Sequence, residues 1–157
     1  MATKKQLSRY DPASPEFRKE EFPFYWIARV YGSYTQEMET ALKAVGMDIP
    51  TWRILFILKE NGTSSISEIS LHAIAKLSTV TKTVYRMKAE GLLDTAPSQQ
   101  DGRVTEVTLT QAGRDAIERI QLATRHIFLR SFKGLTPSQI QKLNELLQGV
   151  LVNFEGP

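Results

Sequence analysis

The chain has 157 residues, 41% of them hydrophobic, which suffices for one packed core with an extension. It contains no cysteine, and this excludes disulfides, zinc-thiolate sites, cysteine nucleophiles and thiol redox switches together. A net charge of +3 and a pI of about 9.2 permit an anionic partner without demanding one.

The two histidines, His72 and His126, stand far apart and in no ligand spacing, so no metal and no cofactor is expected. No apolar run reaches the length of a membrane span, and "MATKKQLSRY" has no apolar signal region behind its lysines. The cytoplasm is the default compartment, with no membrane partner.

Residues 1–20 are polar, with Pro12 and Pro15, and read as a flexible or loosely attached arm. Over residues 21–46 a helical stripe follows: Phe24, Ile27, Tyr31, Tyr34, Met38, Leu42 and Val45, closed by Gly46. Asp48 can cap a second helix, with Pro50 in its first turn and "TWRILFILKE" along it, ending at Asn61-Gly62. "SISE", Ser65 to Glu68, is a capping box that opens a short helix holding Ile66, Ile69, Ala73 and Ile74. The next helix spans about Leu77 to Glu90, with Gly91 as its C-terminal cap. "LLDTAP" and "RVTEVTLT", separated by "SQQDG", predict a two-stranded ribbon with one wet face. Thr110 caps a long helix bearing Ala116, Ile117, Ile120, Ala123, Ile127 and Phe128. Thr136 caps the last one, with Pro137 in its first turn and Ile140, Leu143, Leu146, Leu147, Val150, Leu151 and Phe154 along it.

This layout predicts a mainly α protein with a small β-hairpin wing (α+β). Residues 47–110 read as a winged helix-turn-helix, flanked by dimerisation helices at residues 21–46 and 111–157. The terminal helices carry more apolar surface than one small domain can cover, and a second copy is the simplest partner.

The helix "LSTVTKTVYRMKAEG" is unusual for its hydroxyls and β-branched residues, which helices do not favour. Leu77, Val80, Val84 and Met87 form its buried stripe. Ser78, Thr81, Lys82, Tyr85 and Arg86 occupy the other face, with Thr79 at its edge. Short hydroxyls permit close approach to phosphates or base edges; Arg86 suits a guanine fork and Lys82 a phosphate or base acceptor. A solvated Thr-rich face is the competing reading. At the ribbon tip Asp101 can pair with Arg103 and aim it at a minor groove; an ordinary turn arginine is the alternative there. Charge over residues 64–110 balances, five cations against five anions, so the argument rests on placement.

"IPTWRILFILKENG", "SISEIS", "LSTVTKTVYRMKAEGLL" and "DGRVTEVTLTQAG" together resemble, in order and spacing, the signature blocks of MarR-family transcriptional regulators, over about Ile49 to Gly113. The resemblance implies a homodimeric regulator bound to a near-palindromic operator in double-stranded DNA and released by a small molecule, often an aromatic carboxylate. It places Ser78, Thr79, Thr81, Lys82 and Arg86 on groove-facing positions, and Asp101 and Arg103 on the wing's Asp-x-Arg. The chain departs from the pattern at Lys76-Leu77, where a capping turn is common, at Thr95 and Ala96, where the wing is usually basic, and at Gly102, often a second arginine.

The resemblance also implies an effector cleft between the dimer helices and the DNA-binding lobe, with Tyr25, Trp26, Arg29, Tyr31, Trp52 and Arg53 as candidates. Rings suit an aromatic ligand and arginine suits a carboxylate. The competing reading is that the rings are core and the arginines paired with acids. No phosphate loop, nucleophile elbow or metal spacing supports an enzyme. A winged helix used only for protein contacts is the alternative function, though it would not need hydroxyls and cations on that face.

Overall fold

The computed structural model describes residues 7–156. Residues 7–22 form two short 3-10 turns, Ser8–Tyr10 and Lys19–Glu21. The Arg9 guanidinium stitches them, donating to both Glu21 carboxylate oxygens at 2.6 Å. The remainder of the expected arm, residues 1–6, lies outside the described residues.

Helix α1 (Pro23–Ala44) begins with proline at its first position and ends before Gly46, whose φ of 74° is the turn a helix exit needs. Only its last turns enter the core, through Met38, Ala41 and Leu42. Helix α2 (Ile49–Asn61) is capped by Asp48, whose carboxylate accepts the Thr51 N–H at 2.9 Å. It buries Thr51, Ile54, Leu55 and Leu58. Gly62, at φ 73°, turns the chain into strand β1 (Ser64–Ser65).

Ser65 then caps α3 (Ile66–Ala73) in a reciprocal box with Glu68, as the sequence predicts. Ile74 follows in the left-handed region at φ 52° and is 92% exposed, not buried as its place in the stripe suggested. A β-branched residue is strained there. The turn is held by Ala75 N–H to Ser70 O and by the Ser70 hydroxyl, which donates to Ala75 O at 2.6 Å.

Helix α4 (Leu77–Ala89) buries Val80, Val84 and Met87 as expected, but with Thr83 rather than Leu77 beside them. The first turn projects past the core, leaving Leu77 half exposed, while the Thr83 hydroxyl satisfies itself on Thr79 O at 3.0 Å.

Strands β2 (Leu93–Pro97) and β3 (Thr105–Leu109) pair antiparallel from Leu93↔Leu109 to Pro97↔Thr105. The expected two-stranded ribbon is in fact three-stranded, in the order β1-β3-β2, because Ser64 and Ser65 pair with Val107 and Glu106. Two polar residues give no alternation to detect, so this strand is invisible to pattern reading.

Helix α5 (Gln111–Ser131) is capped by Thr110, whose hydroxyl accepts Gly113 N–H and donates to Gly91 O at 2.6 Å. Gly113 lies against the backbone just before strand β2: a Cβ there would stand 2.1 Å from Leu92 O. Helix α6 (Pro137–Glu155) opens on a Thr136–Gln139 capping box and buries none of its residues. One core, from Leu42 through Leu55, Ile69, Val84, Leu93 and Val107 to Ile120, joins α1–α5 and the sheet.

Candidate nucleic-acid interface and adjoining cleft

The outer face of α4 divides into open and occupied side chains. Ser78, Thr79, Lys82 and Tyr85 are exposed, and among the described residues their side chains hold no hydrogen bond or ion pair. Thr81 is half-buried and its hydroxyl donates to Leu77 O at 2.7 Å. Lys88 leans away, donating to the Thr95 hydroxyl on β2 at 2.7 Å. No side chain caps the helix at Lys76, and the Thr79 N–H turns back onto Lys76 O at 2.9 Å instead.

Arg86, read from the sequence as groove-facing, is turned back onto α2. Its Nη2 donates to the Asp48 carboxylate at 3.0 and 3.3 Å and to the Thr51 hydroxyl at 3.1 Å. Its Nη1 lies 3.6 Å from Glu90. Burial pushes the Asp48 carboxyl up, but hydrogen bonds from Thr51 and the Arg86 guanidinium outweigh it and hold the group below its usual range.

At the wing tip one carboxylate grips one arginine. Asp101 accepts the Arg103 N–H at 3.0 Å, Nε at 3.1 Å and Nη2 at 3.0 Å. The Arg103 side chain hydrogen bond lowers the Asp101 carboxyl, while the Arg103 side chain remains 91% exposed. The tip is thus aimed and accessible at once.

The six aromatic and cationic cleft candidates fall into two groups. Tyr31, Trp52 and Arg53 line one cleft of about 570 Å³ between α1, α2 and α3, together with Phe56, His72 and Ile74. Arg53 Nη2 donates to the Tyr31 hydroxyl at 2.9 Å, and that bond lowers the phenol's pKa. Trp52 stands edge-on to Tyr34 and tilted against Phe56. Tyr25, Trp26 and Arg29 gather instead at the start of α1, away from the cleft lining. Trp26 Nε1 donates to Glu20 O at 2.7 Å, and the Arg29 guanidinium lies over the Tyr25 ring at 5.6 Å. The sequence reading missed Phe56, His72 and Ile74. Phe56 follows Trp52 by one helical turn, a spacing that could have found it; nothing local marks the other two.

A helix-turn-helix with an open hydroxyl and cation face, followed by a β wing with a charged tip, defines a winged-helix DNA-binding protein. The family model described as "MarR family" matches residues 45–104. The HTH-type transcriptional repressor IacR of Pseudomonas putida is 63% identical over 152 residues, covering 97% of this chain and 91% of that protein. The chain belongs to the MarR family. Its fold is that of an E. coli MarR mutant complexed with operator DNA (TM-score 0.74, 20% identity, covering 85% of this chain and 97% of that one). It is also that of Bordetella bronchiseptica BpsR, whose DNA binding is regulated by 6-hydroxynicotinic acid (TM-score 0.71, 22% identity, covering 82% and 98%).

Proposed function

We propose that the protein is a homodimeric transcriptional repressor that holds a near-palindromic operator and releases it on binding a small aromatic acid in the cleft beside α2. The observation that carries the DNA-binding half is the face of α4. Ser78, Thr79, Lys82 and Tyr85 are exposed and uncommitted on the second helix of a helix-turn-helix. High identity to a repressor across nearly the whole chain supports the sign of regulation. The protein then works where chromosomal DNA lies, in the cytoplasm of a bacterial cell.

In this reading residues 47–110 are the DNA-binding lobe. Lys82 holds a phosphate or a base acceptor, the hydroxyls approach closely, and Arg103 enters the minor groove, which is about 6 Å wide. The cleft offers Trp52 and Phe56 as ring surfaces, with Arg53 and His72 as partners for a carboxylate. The Tyr25, Trp26 and Arg29 group contributes to the dimer end of α1 instead.

The test is fluorescence anisotropy with a duplex selected by the protein from a random library. Lys82→Ala is expected to weaken binding by about 1–3 kcal/mol. Arg103→Ala should flatten the salt dependence by about one counterion. Failure to select any duplex would remove the DNA-binding reading, and unchanged affinity in both folded variants would remove α4 and the wing tip as its contact surface. Adding 6-hydroxynicotinic acid or benzoic acid is expected to raise the melting temperature of the wild-type chain and not of Trp52→Ala. Equal shifts in both would exclude the cleft.

A further inference from the structure

We propose that Arg86 is a positioning residue: it bolts the recognition helix α4 to the first turn of α2, and through that turn to the dimer helix α1, rather than reading a base. This rests on the DNA-binding reading above and assigns Arg86 a different part in it.

Both terminal nitrogens of Arg86 are already engaged. Nη2 reaches the Asp48 carboxylate at 3.0 Å and the Thr51 hydroxyl at 3.1 Å, and Nη1 faces Glu90 at 3.6 Å. A guanine fork needs two parallel N–H groups. Offering them to a base would take a charged donor from the Asp48 carboxylate and from the Thr51 hydroxyl, and Thr51 is buried at 1% exposure. Losing a charged donor from a buried acceptor is costly.

The anchor is rigid. Asp48 is fixed by its own cap, accepting the Thr51 N–H at 2.9 Å, so the carboxylate that receives Arg86 is pinned to the backbone of α2. The neighbouring positions on that helix look the other way. Trp52 and Arg53 line the cleft, and Arg53 Nη2 donates to the Tyr31 hydroxyl on α1 at 2.9 Å. One turn of α2 is therefore hydrogen-bonded on one side to the recognition helix and on the other to the dimer helix.

Base-reading side chains work only when placed within about 0.5 Å of the productive geometry. A tether that sets the seat of α4 thus governs affinity without touching DNA. It also gives the cleft a direct mechanical path to α4, because the residues that wall the cleft share a helical turn with the residues that hold Arg86.

The experiment is a double-mutant cycle in the full-length chain with Asp48→Asn and Arg86→Gln. Asparagine keeps the cap on Thr51 N–H and removes only the charge. Two readouts are taken. One is urea unfolding. The other is affinity for the duplex selected by the wild-type chain and for single base-pair variants of it. Each single substitution is expected to weaken duplex binding about tenfold, the scale of one charge-assisted hydrogen bond. The double variant should be no weaker than either single one, and base preference should be retained at every position. Unfolding should show the same non-additivity. Arg86→Gln relaxing preference at one base pair while Asp48→Asn leaves affinity unchanged would overturn the proposal, and Arg86 would be a base contact. Additive losses, or no coupling in unfolding, would overturn it too. If the wild-type chain selects no duplex, the DNA-binding reading fails and the positioning role falls with it. Coupling in unfolding without coupling in affinity leaves that reading intact and removes only the positioning role.

Discussion

The lobe from α2 to β3 and the terminal helix α6 are both rich in aliphatic side chains, but they use them in opposite ways. In the lobe Ile54, Leu55, Ile69, Val84, Leu93 and Val107 are almost completely enclosed by one another. In α6, Leu143, Leu146, Leu147, Val150 and Leu151 follow the same helical spacing and every one is exposed. The lobe is complete within a single chain. Helix α6 and the N-terminal half of α1, with Ile27 and Val30 exposed, leave apolar surface open within one chain, and a second copy is the cover we propose for it. Hydrophobicity alone marks a surface as destined for burial; it does not say whether the cover comes from the same chain.

That contrast breaks most severely if α6 is removed. Truncation before Leu135 is expected to abolish the dimer and give aggregated or unfolded material, read by sedimentation velocity and circular dichroism. A soluble, folded monomer would mean that the lobe's self-sufficiency extends to the whole chain. The contrast sharpens with a matched pair of truncations. Leu55→Ala should cost about 2–5 kcal/mol in urea unfolding, as buried leucines do. The loss from Leu147→Ala should depend on protein concentration, because it weakens assembly. A concentration-independent loss at Leu147 would contradict the assignment of α6 to the interface.

A smaller effect is expected at the seam between lobe and long helix. Gly113→Ala would place a methyl 2.1 Å from Leu92 O, a backbone atom that cannot swing aside. Overpacking of this kind costs about 1–3 kcal/mol, measurable as a drop in melting temperature with the dimer intact. The smallest effect is electrostatic. The Asp48 carboxyl titrates below its unfolded value, so its contribution is fully present above that unfolded value and is lost as the pH falls through the folded one. Its side chain is half exposed, so the loss is modest. Acid unfolding curves of wild type and Asp48→Asn should converge as the pH falls through that range, and parallel curves throughout would show that Asp48 carries no charge-dependent stability.

Much of this architecture was legible because its signals are local. Asp48, Ser65, Thr110 and Thr136 each announce a helix start by a hydroxyl or carboxylate that reaches a backbone N–H three residues on. Gly46 and Gly91 announce exits by adopting a positive φ. What escaped was long-range. Strand β1 exists because β3 offers it an edge some 40 residues later in the chain, and Ser64-Ser65 has no pattern of its own. The turn of Arg86 toward α2 depends on Asp48, 38 residues away, and the Arg86 side chain reads identically whether it faces a base or a carboxylate. The grouping of Tyr31 with Arg53, and its separation from Tyr25 and Trp26, is likewise set by how α1 crosses α2.

Ser65 ends a strand and caps a helix in the same residue. The base of the wing and the first helix of the helix-turn-helix are therefore one piece, and no slack lies between them. At the other end of the lobe Thr110 clips the exit of β3 to Gly91, just past the recognition helix. Wing and recognition helix are tied together by both contacts and form one unit. On the proposed DNA-binding role, a duplex meets wing and recognition helix as one preset surface.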